Sequence, residues 1–154
     1  MIVFRLSKAH YSKSLSGEGA RKYGGRWNGK GILVIYTCES RALCVTEIAV
    51  HTPLGNIPLG YELISIEIPD NIQIKELNSK TLPADWRSFP HPHSTQEIGD
   101  QFCNDAKYLV LKVPSVIVQG EFNYLINPDC KDFEKIKIKS IETFNFDERL
   151  FTTV

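Results

Sequence analysis

Arg26, Tyr36 and Glu47, all in the first third of the chain, have the types and the order to stabilise a positive charge on a substrate. Arg26 follows Gly24-Gly25, where the backbone can approach a ligand closely, and its planar guanidinium can grip a pyrophosphate or a carboxylate. Trp27 beside it offers a stacking face and Asn28 an amide. Tyr36 ends an apolar run. Glu47 is the only charged residue in ALCVTEIAV, and an ionised carboxylate there is costly unless a cation or a hydrogen-bond donor meets it. No Ser-His-Asp pattern or metal cluster accompanies these residues. A carboxylate facing a developing oxocarbenium, with an arginine on phosphates, suits chemistry at a glycosidic carbon. Taken alone, the Gly17–Gly31 stretch reads equally well as tight turns carrying a surface arginine.

Other sites fail on spacing. Gly24 and Gly29-Lys30 nearly make a phosphate loop, but Gly31 stands where Ser or Thr should hold magnesium, and the stretch feeds a strand rather than following one. Gly17-Glu18-Gly19 misses the dinucleotide fingerprint because residue 22 is Lys. His91 and His93 sit in a stiff Pro-flanked segment without the further ligands zinc needs, so no metal is expected. Cys38, Cys44, Cys103 and Cys130 contain no CxxC pair and read as reduced, partly buried thiols.

The elements that must position these residues follow from periodicity. Ile2–Leu6 reads as a strand, residues 7–31 as a long loop or set of turns, and Ile32–Thr37 as a buried strand. Ser40 is the expected N-cap of a helix over Arg41–His51, apolar nearly all round and so buried on most sides. Tyr61–Ile68 and Ile72–Lys75 read as strands. Ser94-Thr95-Gln96-Glu97 matches a capping box, predicting a helix from about Thr95 to Ala106. Tyr108–Val113 is a further strand. Val116–Val118 and Tyr124–Ile126 read as short extended pieces, and Lys135–Phe146 as one or two closing strands. Many strands against two main helices, out of strict alternation, predict one α+β domain over residues 1–154.

The chain has 154 residues and a formal net charge of zero, which removes any long-range field toward DNA or an anionic membrane. The zero is uneven. Residues 1–30 carry seven bases (Arg5, Lys8, Lys13, Arg21, Lys22, Arg26, Lys30) against one acid, Glu18, while the remainder carries 11 bases and 17 acids. Such a segment is either a solvated basic surface or a patch that meets phosphate. A nucleic-acid-binding module is the reading from another class, but no RNA-binding motif or recognition-helix pattern supports it. No stretch suits a signal peptide or a membrane span, so the expected setting is cytoplasmic.

SGEGARKYGGRWNGKGILVIYTCESRALCVTEIAVH, followed by VPS and NYLINP, resembles the RES-domain toxins of bacterial Xre/RES toxin–antitoxin pairs. The domain is named for an arginine, a glutamate and a serine. Arg26 and Glu47 match the first two, and Ser115 is the candidate third. Tyr36 matches the family's strand-end tyrosine, and Arg5 a further arginine on the first strand. The resemblance covers about residues 1–130 and implies a fold like the ADP-ribosyltransferases. It implies NAD as substrate, with no cofactor. Cleavage of the nicotinamide–ribose bond by water or phosphate is the leading expectation, and transfer of ADP-ribose to a protein the alternative. By the same resemblance Arg26 would bind NAD phosphate, Tyr36 would stack on or orient the nicotinamide ribose, and Glu47 would stabilise the ribosyl cation. Ser115 would bond substrate or fix Glu47, with Arg5 and Asn28 as further contacts. An Xre-type antitoxin is the implied partner, a homodimer is open, and direct binding of this chain to nucleic acid or membrane is not expected. Residues 81–93 and 131–154 match no family motif.

Overall fold

The computed structural model describes residues 1–153. Its elements run β1 (Ile2–Lys8), α1 (Glu18–Tyr23), β2 (Ile35–Cys38), α2 (Arg41–His51), β3 (Tyr61–Glu67), β4 (Ile74–Glu76), α3 (His93–Asp105), β5 (Val110–Pro114), β6 (Phe122–Ile126) and β7 (Lys137–Phe144), with short 3₁₀ turns between some of them. All seven strands join one sheet in the order β4-β5-β6-β2-β1-β3-β7. Only β4–β5 is parallel; the other pairs are antiparallel. The expected α+β class is what the sheet and its few helices form. No described helix is long and apolar enough to cross a membrane.

Central strands are apolar where both faces are covered. Ile64, Ile66, Val110 and Ile126 are fully buried and pack with Val3, Ile35 and Ile68, while the equally buried Leu111 and Leu125 pack with the α3 cluster. On one side α3 buries Thr95, Gly99, Phe102 and Cys103, a helical stripe, and packs with Trp27, Val34 and Trp86. On another, Leu43 and Cys44 of α2 pack with Cys38, Phe4 and Leu6.

Several expectations are corrected. Residues 7–31 are not structureless: Glu18–Tyr23 form a helix, entered through Gly17 at φ 72° and left through Gly24 at φ 72° with no side-chain cap. The α2 boundaries and its Ser40 cap stand, the Ser40 hydroxyl accepting from Leu43 N–H at 3.0 Å. Yet α2 fully buries only Leu43 and Cys44, and Val50 is exposed, because its other face borders a cleft. The capping box does not form. Helix α3 begins at His93 without a side-chain cap, and the Ser94 hydroxyl donates to the Asp85 carboxylate at 2.8 Å instead. Residues 116–118 make bends rather than a strand, and of the one or two closing strands expected, one forms.

Candidate active site

Gly25 and Asn28 pair across a turn closed by Gly25 N–H to the Asn28 carbonyl at 2.9 Å, leaving Arg26 and Trp27 at its tip. Both residues line a cleft, but Trp27 is almost wholly buried among Val34, Trp86 and Phe102, so it offers little of the free stacking face expected. Helix α3 holds this turn from 70 residues away. Gln96 donates to the Gly25 carbonyl at 2.9 Å, the Asp100 carboxylate accepts from Gly29 N–H at 2.8 Å, and Gly99 packs so tightly that any Cβ there would strike the Trp27 carbonyl.

Asn28 completes the brace. Its amide donates to the carbonyls of Ala20, Gly29 and Ile32, and its oxygen accepts from the Tyr36 hydroxyl at 2.7 Å. The Tyr36 hydroxyl in turn accepts from Trp27 N–H at 3.0 Å. Asn28 is fully buried with its polar atoms committed, so the expected substrate contact is corrected to a framework role. Burial keeps Tyr36 neutral, raising its pKa by more than the Trp27 N–H bond lowers it; its ring still lines the cleft.

That cleft has a volume of about 610 Å³, within the size range of small-molecule sites. Arg5 from β1, Arg26 from the turn, Tyr36 from β2 and Glu47 from α2 all line it. Four of the six residues singled out from the sequence therefore meet in one place, and Asn28 underlies it. Ser115 does not reach it. Ser115 is buried, its hydroxyl accepts from the N–H groups of Ile117 and Val118 at 3.1 and 3.0 Å, and it borders a separate hollow with Glu76, Arg87 and Glu121. It caps the bend that carries Val116 and Ile117 to the cleft wall.

Glu47 is the acidic residue of the cleft. Burial raises its pKa, opposed by a hydrogen bond from Asn123, by His51 one turn along α2 and by Arg26. Asn123 is placed by strand register: it pairs with Cys38 across β6 and β2, and its amide approaches the Cys38 sulfur at 3.5 Å. Burial also lowers the Arg5 and Arg26 pKa values, with Glu47 supporting the Arg26 charge; both guanidiniums remain cations. Of the seven bases in residues 1–30 only these two reach the cleft. Arg21 pairs with Glu18, Lys8 bonds the Leu59 carbonyl, and Lys13, Lys22 and Lys30 are exposed.

Two cleft residues escaped the sequence reading as site candidates: His51 and His91. His91 had been weighed only as a metal ligand, and no metal-binding cluster of His, Cys, Asp and Glu occurs among the described residues. Among the described residues, the buried side-chain polar atoms without a hydrogen-bond partner are Arg5 Nη1 and His91 Nδ1, both on cleft-lining residues. Folded proteins seldom leave such atoms unpaired. The arrangement presents two cations, a desolvated carboxylate and an aromatic wall. It can bind a phosphorylated molecule and stabilise positive charge forming beside Glu47.

A family model described as the RES domain matches residues 2–147. "Toxin Res" of Photorhabdus laumondii subsp. laumondii is 39% identical over 153 residues, covering 97% of each chain. The "Prs ADP-ribosylating toxin" of Sphingobium sp. is 35% identical over 146 residues, covering 94% of this chain and 91% of its own. A shorter match, 35% over 74 residues and 44% of this chain against 39% of the relative, is to the "NAD(+) phosphorylase MbcT" of Mycobacterium tuberculosis. The solved MbcT–MbcA toxin–antitoxin complex of that organism contains a chain of the same fold, with a TM-score of 0.74 at 21% identity over 97% of this chain and 86% of that one.

Proposed function

The chain belongs to the RES domain family, and on that premise we propose that it is the toxin of a toxin–antitoxin pair that depletes NAD by breaking the nicotinamide–ribose bond. The observation that carries this reading is the meeting of Arg5, Arg26, Tyr36 and Glu47 in one cleft, with the half-buried Glu47 carboxylate facing the Arg26 charge. Arg5 and Arg26 hold the NAD phosphates. The Tyr36 ring packs on the nicotinamide ribose. Glu47, oriented by Asn123, faces the anomeric carbon and stabilises the ribosyl cation as nicotinamide departs. Ser115 acts through the bend it caps, and one RES domain spans residues 1–154.

NAD is substrate here, and no cofactor enters the scheme. The partner is an antitoxin of the Xre type that covers the cleft, and the setting is the bacterial cytoplasm where NAD is found. Expression without an antitoxin should arrest growth and lower cellular NAD, and Arg26→Ala should do neither. Normal growth with abundant soluble wild-type protein would count against the proposal.

The second reading, transfer of ADP-ribose to a protein, is supported by the Sphingobium relative's name and its 35% identity over nearly the whole chain. Both readings use the same bond cleavage. Labelled NAD added to lysate separates them: a labelled protein band favours transfer, and small products alone favour NAD depletion.

A further inference from the structure

His91 stands at the cleft, and the structure fastens its segment with the candidate NAD-binding arginine itself. Arg26 Nη1 donates to the carbonyls of Trp86 and Ser88, at 2.7 and 2.9 Å. Trp86 is buried, and the Phe89 ring stands edge-on to the His91 imidazole at 5.7 Å between centroids. Downstream, Gln96 ties α3 to Gly25, next to Arg26. The segment is therefore anchored on both sides of His91, and its imidazole lines the cleft. Nδ1 is shut away from solvent without a partner, which leaves Nε2 as the ring nitrogen open to what enters the cleft.

Its surroundings set its charge. Arg26 faces it from the turn and His51 from α2, while Arg5 and Tyr36 line the same cleft from β1 and β2 and Glu47 adds the one carboxylate. Burial first, then Arg26 and His51, hold the imidazole below its ordinary value of 6.5, so it is neutral at neutral pH and one ring nitrogen can accept a proton.

We propose that His91 is the general base of this site, taking a proton through Nε2 from the O–H nucleophile, water or a hydrogen phosphate ion, that attacks the ribosyl carbon. The inference rests on the NAD-cleaving reading. As the carbon–nitrogen bond to nicotinamide breaks, its electron pair leaves on the nicotinamide ring nitrogen. The nucleophile's oxygen bonds to the anomeric carbon, and its proton passes to His91, which later releases it to solvent. The division of labour is then clear: Glu47 serves the departing side of the ring's charge, and His91 the arriving oxygen.

The test follows nicotinamide release from NAD by full-length wild type, His91→Gln and His91→Ala across the acid-to-neutral range, with and without inorganic phosphate. Product analysis (ADP-ribose against its 1-phosphate) tells which nucleophile reacts. Wild type should lose activity as pH falls, through protonation of both His91 and Glu47. His91→Gln should lose about 10²-fold in kcat with little change in KM and should lose the His91 part of that acid limb, keeping the single-proton limb of Glu47. Added imidazole should restore part of the His91→Ala rate, which a merely structural loss would not allow. Variants within about threefold of wild type, or an acid limb unchanged in His91→Gln, would overturn the role of His91 while leaving NAD cleavage intact. No release from wild type would overturn the NAD reading itself.

Discussion

The Tyr36 hydroxyl donates to the Asn28 side-chain oxygen across 2.7 Å, and that bond joins the strand beneath the cleft to the turn that presents Arg26. Asn28 has spent its amide on three backbone carbonyls, so one buried side chain sets the height of the arginine above the strand. The site is aimed by a residue that does not touch the cleft.

Asn28→Ala should therefore cost far more than its small volume suggests. It leaves the Tyr36 hydroxyl without its acceptor and deprives buried carbonyls of donors, a loss of about 3 kcal/mol. Denaturant titration at neutral pH checks the size.

Gly99→Ala separates close packing from helix propensity. In an ordinary helix interior the change stabilises by up to about 1 kcal/mol. Here the new Cβ would meet the Trp27 carbonyl, so α3 or the Arg26 turn must move. Thermal melting should show a clear loss of stability, the opposite sign.

Arg26→Lys keeps the charge and loses the fork. The carbonyls of Trp86 and Ser88 lose their shared donor, and the 86–91 segment should exchange its amide hydrogens faster. Nicotinamide release should fall about 10²-fold, a loss that a purely electrostatic role for residue 26 would not produce.

Glu47 makes the fold weaker so that the site can work. Burial raises its folded-state pKa above the unfolded value, so between the two the folded chain holds a proton that the unfolded chain has released. The stability present below the unfolded pKa is lost as pH rises through the folded one. Glu47→Gln should abolish that decline and melt above wild type at neutral pH while losing activity. Melting temperature followed against pH for the pair checks the sign.

Much of this site was legible because its residues obey local rules. An apolar run ended at Tyr36, Ser40 capped the next helix, and one carboxylate stood out in ALCVTEIAV. What was not legible depends on distant partners. Trp27 turns inward and Asn28 is consumed because α3, 70 residues later, presses Gln96, Gly99 and Asp100 against their turn. The helix at Glu18–Tyr23 carries glycines where caps would announce it. The capping-box signal at Ser94 yielded to the Asp85 carboxylate, a partner outside the helix. His91 gave no signal beyond its metal-ligand type, since its place in the cleft is set by Arg26 reaching back to carbonyls some 60 residues away.

The central claim is that a desolvated carboxylate at position 47 stabilises the cation formed when nicotinamide leaves NAD. Its most direct measurement is the rate of nicotinamide release from NAD by purified wild type and by Glu47→Gln, both confirmed folded by their melting. Wild type should release nicotinamide, and the variant should be slower by about 10²–10³-fold, the size of a lost transition-state contact. Equal rates for the two proteins, or no release by folded wild type, would contradict it.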